Sequence, residues 1–262
     1  MPQPLLLSIA ALLGLAAGSF VNVVIHRVPR GESLVRPGSH CPHCGSAVRN
    51  RHNIPVLGWL VLRGRCADCR APIPARYPLV ESLTAVLFLA VTARFGLSWE
   101  LPAFLYLGAV AVALTMIDLD LYRLPDAIVW PSYYVAVALL VPAAVLTDQS
   151  GAILRGFLAA AAMWLLFLGI RLFGPMGWGD IKLAPLLGFH LGWLGWSAVA
   201  VGAFAGFLLG GVAGVALMAV RLARFKSRVP FGPYMLAGAF VAVFAAAPIA
   251  DWYLDLLTLP VA

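Results

Sequence analysis

Apolar residues gather into eight runs, at about 4–25, 78–92, 101–117, 127–146, 153–173, 181–194, 197–220 and 234–250. Most of them approach the ~20 residues that a helix needs to cross a bilayer. The pattern predicts an all-α polytopic membrane protein of about eight transmembrane helices. A polar stretch at 26–77 interrupts it and predicts a small loop domain between the first two helices. Three parts result: a first transmembrane helix at 1–25, the loop domain at 26–77 and a seven-helix membrane domain at 78–262. The first run begins Met-Pro-Gln with no basic residue ahead of it, so it reads as a retained helix and not a cleaved signal peptide. The sixth run is short and contains Pro185, which predicts a helix tilted or broken at the membrane surface.

Composition removes the other broad classes. Hydrophobic residues make up 62% of the chain and charged residues 11%, with a mean hydropathy of +0.93. A soluble domain carries about 45–50% apolar and about 25% charged residues, and a disordered chain combines low hydrophobicity with high net charge. The net charge of +7 is explained by topology, without a nucleic-acid partner. Cytoplasmic loops retain Lys and Arg, and no basic run outside the apolar segments is interleaved with stacking aromatics. With the N-terminus outside, the nine arginines of the polar stretch fall on the cytoplasmic side. So do Arg123, Arg171, Lys182, Arg221, Arg224, Lys226 and Arg228, leaving only Arg94 and Arg155 outside. A missed helix would invert every later loop. Eight spans then put both termini outside and the polar loop in the cytosol.

That loop contains all four cysteines, as Cys41-Pro-His-Cys44 and Cys66-Ala-Asp-Cys69. Each C-x2-C turn offers two thiolates to one side, and two such turns complete a tetrahedral Zn²⁺ site. Two disulfides are the competing reading, but a cytosolic loop is reducing. Four thiolates leave no position open for water, so the metal is expected to be structural, folding a loop too small to build its own core. His40 and His43 flank the first turn as further possible ligands. In the seventh run Gly202, Gly206, Gly210 and Gly214 recur every four residues, which predicts a groove for close helix packing.

Ionisable residues beside apolar runs are costly, and each is a functional candidate. Glu81 follows Arg76 and Tyr77, and pairing with a basic residue explains it. Asp118, Asp120, Asp126 and Asp180 all fall on the cytoplasmic boundary of the expected topology. Asp126 follows Pro125 at the start of a run and reads as a helix N-cap. Asp118 and Asp120 are roughly 200° apart around a helix, so only one of them can face a given partner. Asp180 stands in Gly177-Trp-Gly179-Asp180, where two glycines permit an irregular backbone. A dyad of Asp180 with Asp118 or Asp120 could polarise water for attack on an amide. A proton or cation pathway through the same aspartates is the alternative, which would make the protein a coupled transporter.

Six motifs in order resemble those of the bacterial type IV prepilin leader peptidases, membrane aspartic proteases that also serve type II secretion. Gly18-Ser-Phe-Val-Asn-Val-Val-Ile-His-Arg-Val-Pro29 is similar to the family's GSFLNVVIYRLP opening. The two cysteine turns follow, then Ala75-Arg-Tyr-Pro-Leu-Val-Glu81, Ile117-Asp-Leu-Asp-Leu-Tyr-Arg-Leu-Pro-Asp126, Gly177-Trp-Gly-Asp-Ile-Lys182 and Val229-Pro-Phe-Gly-Pro-Tyr234. The resemblance implies that the family's GxGD aspartate is Asp180. Its other catalytic aspartate, seven positions before the proline of the I/L-P-D element, is Asp118. Gly177, Gly179, Lys182, Asp120 and Asp126 take supporting roles.

The implied enzyme lies in the bacterial inner membrane and cleaves the basic leader from prepilins or pseudopilins at the cytoplasmic face. It then methylates the new N-terminal amine with S-adenosylmethionine as donor. The implied zinc ligands are Cys41, Cys44, Cys66 and Cys69. No donor-binding motif stands out in the sequence, and Gly64, Arg76 and Glu81 are the candidates carried for that role.

Overall fold

The computed structural model describes residues 2–174, 176–221 and 229–258, so Arg224, Lys226 and Arg228 of the basic cluster lie outside the described residues. The helices are α1 (Gln3–Arg27), α2 (Leu57–Val61), α3 (Arg76–Phe95), α4 (Leu101–Leu121), α5 (Asp126–Leu146), α6 (Ser150–Phe173), α7 (Trp178–Leu194), α8 (Trp196–Ala219) and α9 (Gly232–Thr258). All eight apolar runs form helices. No strand occurs among the described residues, only the isolated bridges His40–Ala47 and Arg65–Pro72 in the loop. In a bilayer a helix satisfies its own backbone, and lipid accepts the outward apolar side chains, such as Leu12, Phe204 and Val212.

Seven of the helices are long and apolar enough to span a membrane, and α7 is the eighth apolar helix. Its 17 residues, ~26 Å long, stand at the lower end of the ~17–25 that cross a bilayer. Contrary to the sequence expectation, Pro185 does not break it. The helix runs through the proline and is the most enclosed element, with all residues from Leu186 to Trp193 buried. Neighbouring helices can hold a proline-containing helix together at membrane depth.

The chain forms two compact units, Met1–Met116 and Ile117–Ala262, with the boundary inside α4. In the first unit α1 and α3 run antiparallel in close contact. Gly14 faces Ala85, Gly18 faces Glu81, and Asn22 Nδ2 donates to the Tyr77 carbonyl at 3.1 Å. These positions are four apart on α1 and four apart in reverse on α3, so one stripe meets one stripe. A Cβ at Gly14 or Gly18 would fall 2.6 Å from a backbone Cα of α3. The opening motif therefore supplies one of the small residues, Gly18, and the polar anchor, Asn22, of a helix pair. Arg76 Nη2 donates to the Met116 carbonyl, and Phe95 stacks on Phe104 at 4.4 Å.

In the second unit α7 packs on α6, α8 and α9. A Cβ at Gly188 would meet the Ala159 carbonyl at 2.6 Å, and Arg155 of α6 caps the end of α7 by donating to the Gly192 and Trp193 carbonyls. The glycine groove of α8 receives α9. Gly238 approaches the Gly206 nitrogen so closely that a Cβ would lie 2.4 Å away. Phe231, just before α9, joins Phe167 and Phe207 in a ring cluster, which fixes the turn into α9.

Candidate active site and metal centre

Asp118 lies in the last turn of α4 and Asp180 in the first turn of α7. Asp118 is buried at 5% exposure, and Asp180 is half-buried. Four small contacts bring them to one place. The Gly232 N–H donates to Asp118 Oδ2 at 3.1 Å. Leu124, between α4 and α5, packs against both Gly232 and Gly179, where a Cβ would meet it at 3.2 Å in each case. A Cβ at Gly177 would stand 3.0 Å from Asp180 Oδ2. Leu124 and Gly232 thus form a common floor on which the end of α4 and the start of α7 meet.

The glycines of the Gly177–Asp180 motif differ from the sequence expectation. Gly177 has an ordinary extended backbone (φ −72°), Gly179 is helical, and neither needs the left-handed region. They are small because the carboxyl and Leu124 occupy the space of their side chains. The part played by Gly232 was not legible in advance. Its signal is the Pro-Phe-Gly-Pro sequence before an apolar run, in which a glycine between prolines marks a close approach.

Asp126 is not an N-cap. Pro125 holds that position without a side-chain bond, and Asp126 begins the helix itself. Both of its carboxylate oxygens instead accept from Lys182 Nζ, at 2.8 and 3.0 Å. Lys182 is thus committed to Asp126, and the Tyr133 hydroxyl donates to the Lys182 carbonyl. This ion pair and hydrogen bond join α5 to the start of α7, beside Asp180. Asp120 is exposed at the end of α4.

In the polar loop, the four cysteine sulfurs lie within 4.8 Å of one another, and Cys41 Sγ and Cys69 Sγ are 3.8 Å apart. A tetrahedron of sulfurs at ~2.3 Å from zinc has edges of ~3.8 Å, whereas a disulfide needs ~2.05 Å. The donor set and its spacing fit a four-thiolate zinc. The two turns are built alike: Cys41 N–H donates to the Ser46 carbonyl, and Cys66 N–H to the Ala71 carbonyl. Hydrogen bonds with Ser46 draw the Cys44 thiol down to about 6, while desolvation and the three neighbouring thiols push Cys69 up to about 12. The His40 ring bonds the Gly38 carbonyl, and the sulfur cluster contains no histidine.

The three residues carried for donor binding all have internal partners. Gly64, at φ +66°, gives room to the Trp59 ring, which a Cβ would meet at 2.8 Å. Arg76 reaches the Met116 carbonyl, and Glu81 Oε2 accepts from the Val56 N–H at 2.6 Å. Its partner is thus a backbone N–H, in place of the basic residue that the sequence leads one to expect.

A family model described as the Bacterial Peptidase A24 N-terminal domain matches residues 12–95, and one described as the Type IV leader peptidase family matches residues 104–218. Among curated proteins, the prepilin leader peptidase/N-methyltransferase of Aeromonas hydrophila is 37% identical over 94% of this chain and 93% of its own length. Proteins of the same name from Stutzerimonas stutzeri and Pseudomonas aeruginosa are each 34% identical, covering 94% and 93% of this chain and 93% and 92% of their own lengths. No solved structure matches the chain. A multi-pass membrane protein from one end of its described helices to the other, this chain belongs to the type IV leader peptidase family.

Proposed function

We propose that this chain is an aspartic endopeptidase of the bacterial inner membrane that removes the leader from type IV prepilins or type II secretion pseudopilins. In this reading it also N-methylates the new N-terminal residue, as the names of its relatives pair the two activities. The observation that carries the reading is the meeting of Asp118 and Asp180 around Leu124 and Gly232, at one end each of α4 and α7. Acids at helix ends suit a cleavage point at the membrane boundary. A relay for transport would use acids near the midplane, and nothing in the comparisons supports one.

Two carboxyls sharing one proton divide the work of hydrolysis. Asp180, at the N-terminal end of α7, takes a proton from water as the water oxygen bonds to the scissile carbonyl carbon. Asp118, near the C-terminal end of α4, holds the shared proton against the carbonyl oxygen. The partial charges of the helix ends assign these roles, which describe one microstate of a pair that titrates together. Breakdown of the tetrahedral intermediate breaks the C–N bond, and the leaving amine takes up a proton from the dyad. Gly177, Gly179 and Lys182 position Asp180, Asp126 supports them through its ion pair with Lys182, and Asp120 is an auxiliary acid for the leader's basic residues.

The proposed topology places the active site and the loop at the cytoplasmic face and both termini outside. In functional terms the parts are the first helix, a zinc domain at 26–77 and a protease domain at 78–262. Cys41, Cys44, Cys66 and Cys69 hold Zn²⁺, which ties the two turns of the loop together. S-adenosylmethionine is the proposed methyl donor. Gly64, Arg76 and Glu81 are the candidates for holding it, each also in contact with a neighbour in the first unit.

Mass spectrometry of a processed prepilin N-terminus tests both halves. Asp118→Asn and Asp180→Asn should each abolish cleavage in a folded membrane protein, whereas Cys66→Ser should act through the loop. Near-normal processing by either aspartate variant overturns the dyad.

A further inference from the structure

The short helix α2 presents an apolar face that no part of the described loop covers. Leu57, Leu60 and Val61 are spaced i, i+3 and i+4, so they share one side, and their exposures are 58, 55 and 75%. Ile54, just before the helix, is also exposed. The opposite side is fully engaged. Gly58 lies against the His52 carbonyl, and the Trp59 indole N–H donates to the Ile73 carbonyl at 3.0 Å. The helix is therefore fixed in the loop with its greasy side outward.

Its level along α3 is set by Glu81. The Val56 N–H, at the start of α2, donates to Glu81 Oε2, and Glu81 is five steps into α3. At ~1.5 Å per residue that is ~7–8 Å along the helix from its polar end. Amphipathic segments that lie in a membrane interface bury their apolar side ~5–10 Å into the headgroup–acyl boundary. Val56 itself forms a γ-turn at φ +60°, with the Leu57 N–H bonded to the Pro55 carbonyl at 2.6 Å. That geometry is strained for a β-branched residue. The carboxylate holds the chain in a turn it would not otherwise choose, and the turn aims the face.

Charge identifies the occupant. Arg51 lies ahead of α2, Arg63 and Arg65 lie behind it, all three are exposed, and no Asp or Glu occurs between Glu32 and Asp68. Arginines beside an exposed apolar face match anionic lipid headgroups over acyl chains. A basic leader peptide would meet like charge there.

We propose that α2 is an interfacial foot of the polar loop. Ile54, Leu57, Leu60 and Val61 enter the bilayer surface beside the start of α3, and Arg51, Arg63 and Arg65 rest on anionic headgroups. The foot would hold the four-cysteine loop against the membrane whether or not a substrate is present. It depends on the membrane setting of the chain and not on its cleavage chemistry.

The test places a fluorescent amino acid at Leu60 in the full-length protein, in nanodiscs of phosphatidylcholine and phosphatidylglycerol. Lipids carrying a nitroxide near the headgroup should quench the probe strongly, and aqueous iodide should quench it several-fold less. Adding Leu57→Asp and Val61→Asp should reverse that order. Discs of phosphatidylcholine alone should weaken the lipid quenching. Iodide access without lipid quenching overturns the proposal. So does shielding that appears only on addition of a prepilin, which would make the face a protein-docking surface. Lipid quenching indifferent to phosphatidylglycerol would remove the role of the arginines.

Discussion

The backbone N–H of Gly232 donates to Asp118 Oδ2 across 3.1 Å, joining the start of α9 to the end of α4. The glycine is needed twice, because a Cβ there would lie 2.7 Å from the same oxygen and 3.2 Å from Leu124. Gly232→Ala should push the carboxyl off its place while leaving the helices formed. A displacement of ~1 Å in a catalytic group can cost ~10²-fold in rate. Prepilin cleavage by the variant should fall by that order with little change in thermal unfolding. An unchanged rate would show that Asp118 does not need this anchor.

Lys182 and Asp126 form the ion pair that ties α5 to α7, with side-chain exposures of 34% and 55%. Pairs this open to solvent contribute about 1 kcal/mol or less. Asp126→Asn or Lys182→Met should therefore barely change stability. Their effect should fall on cleavage, through the looser start of α7 and the Asp180 it holds. A double-mutant cycle on cleavage should show coupling, and Asp126→Lys with Lys182→Asp should recover part of what either charge reversal loses. Strictly additive effects would remove the pair from the site.

Four sulfurs within 4.8 Å of one another predict one zinc per purified chain. Cys66→Ser should release the metal and open residues 28–75 to limited proteolysis, since a loop of this size has little core of its own. The membrane helices should remain protected. A loop that stays resistant without metal would make zinc dispensable to its folding.

Helix existence was legible at every position where lipid demands a long apolar run, because backbone satisfaction in a bilayer allows little else. The clustering of the cysteines was legible for a similar reason: short, fixed spacings determine what the turns can offer. What was hidden depended on contacts distant in sequence. Asp126 read locally as a cap, and only folding brings Lys182 to it. Pro185 read locally as a break, but α6, α8 and α9 surround α7 and keep it continuous. Gly177 and Gly179 read as conformational residues, yet their neighbours Asp180 and Leu124 show that volume is what constrains them. Glu81 read as half of a charge pair, and its partner is a backbone N–H in a turn that no periodicity reveals.

The glycines of the helix bundle divide into those that let another backbone approach, those that face a side chain and those that face nothing. Between helices in lipid there is no hydrophobic driving force, so close van der Waals contact does the work. A Cβ at Gly188 would lie 2.6 Å from the Ala159 carbonyl oxygen and 2.8 Å from Ala160 Cα, atoms that cannot rotate away. Gly188→Ala should force α6 and α7 apart and destabilise the protein by ~1–3 kcal/mol, the usual cost of overpacking. Because α7 positions Asp180 two turns earlier, cleavage should fall with stability. Gly214 belongs to the four-residue glycine spacing of α8 but meets nothing within 4 Å. Gly214→Ala should stay within about 0.5 kcal/mol of the parent and cleave normally. Thermal unfolding in detergent, read beside prepilin cleavage, separates the two, and equal effects at both positions would show that the spacing matters as a whole and not through the contacts of Gly188.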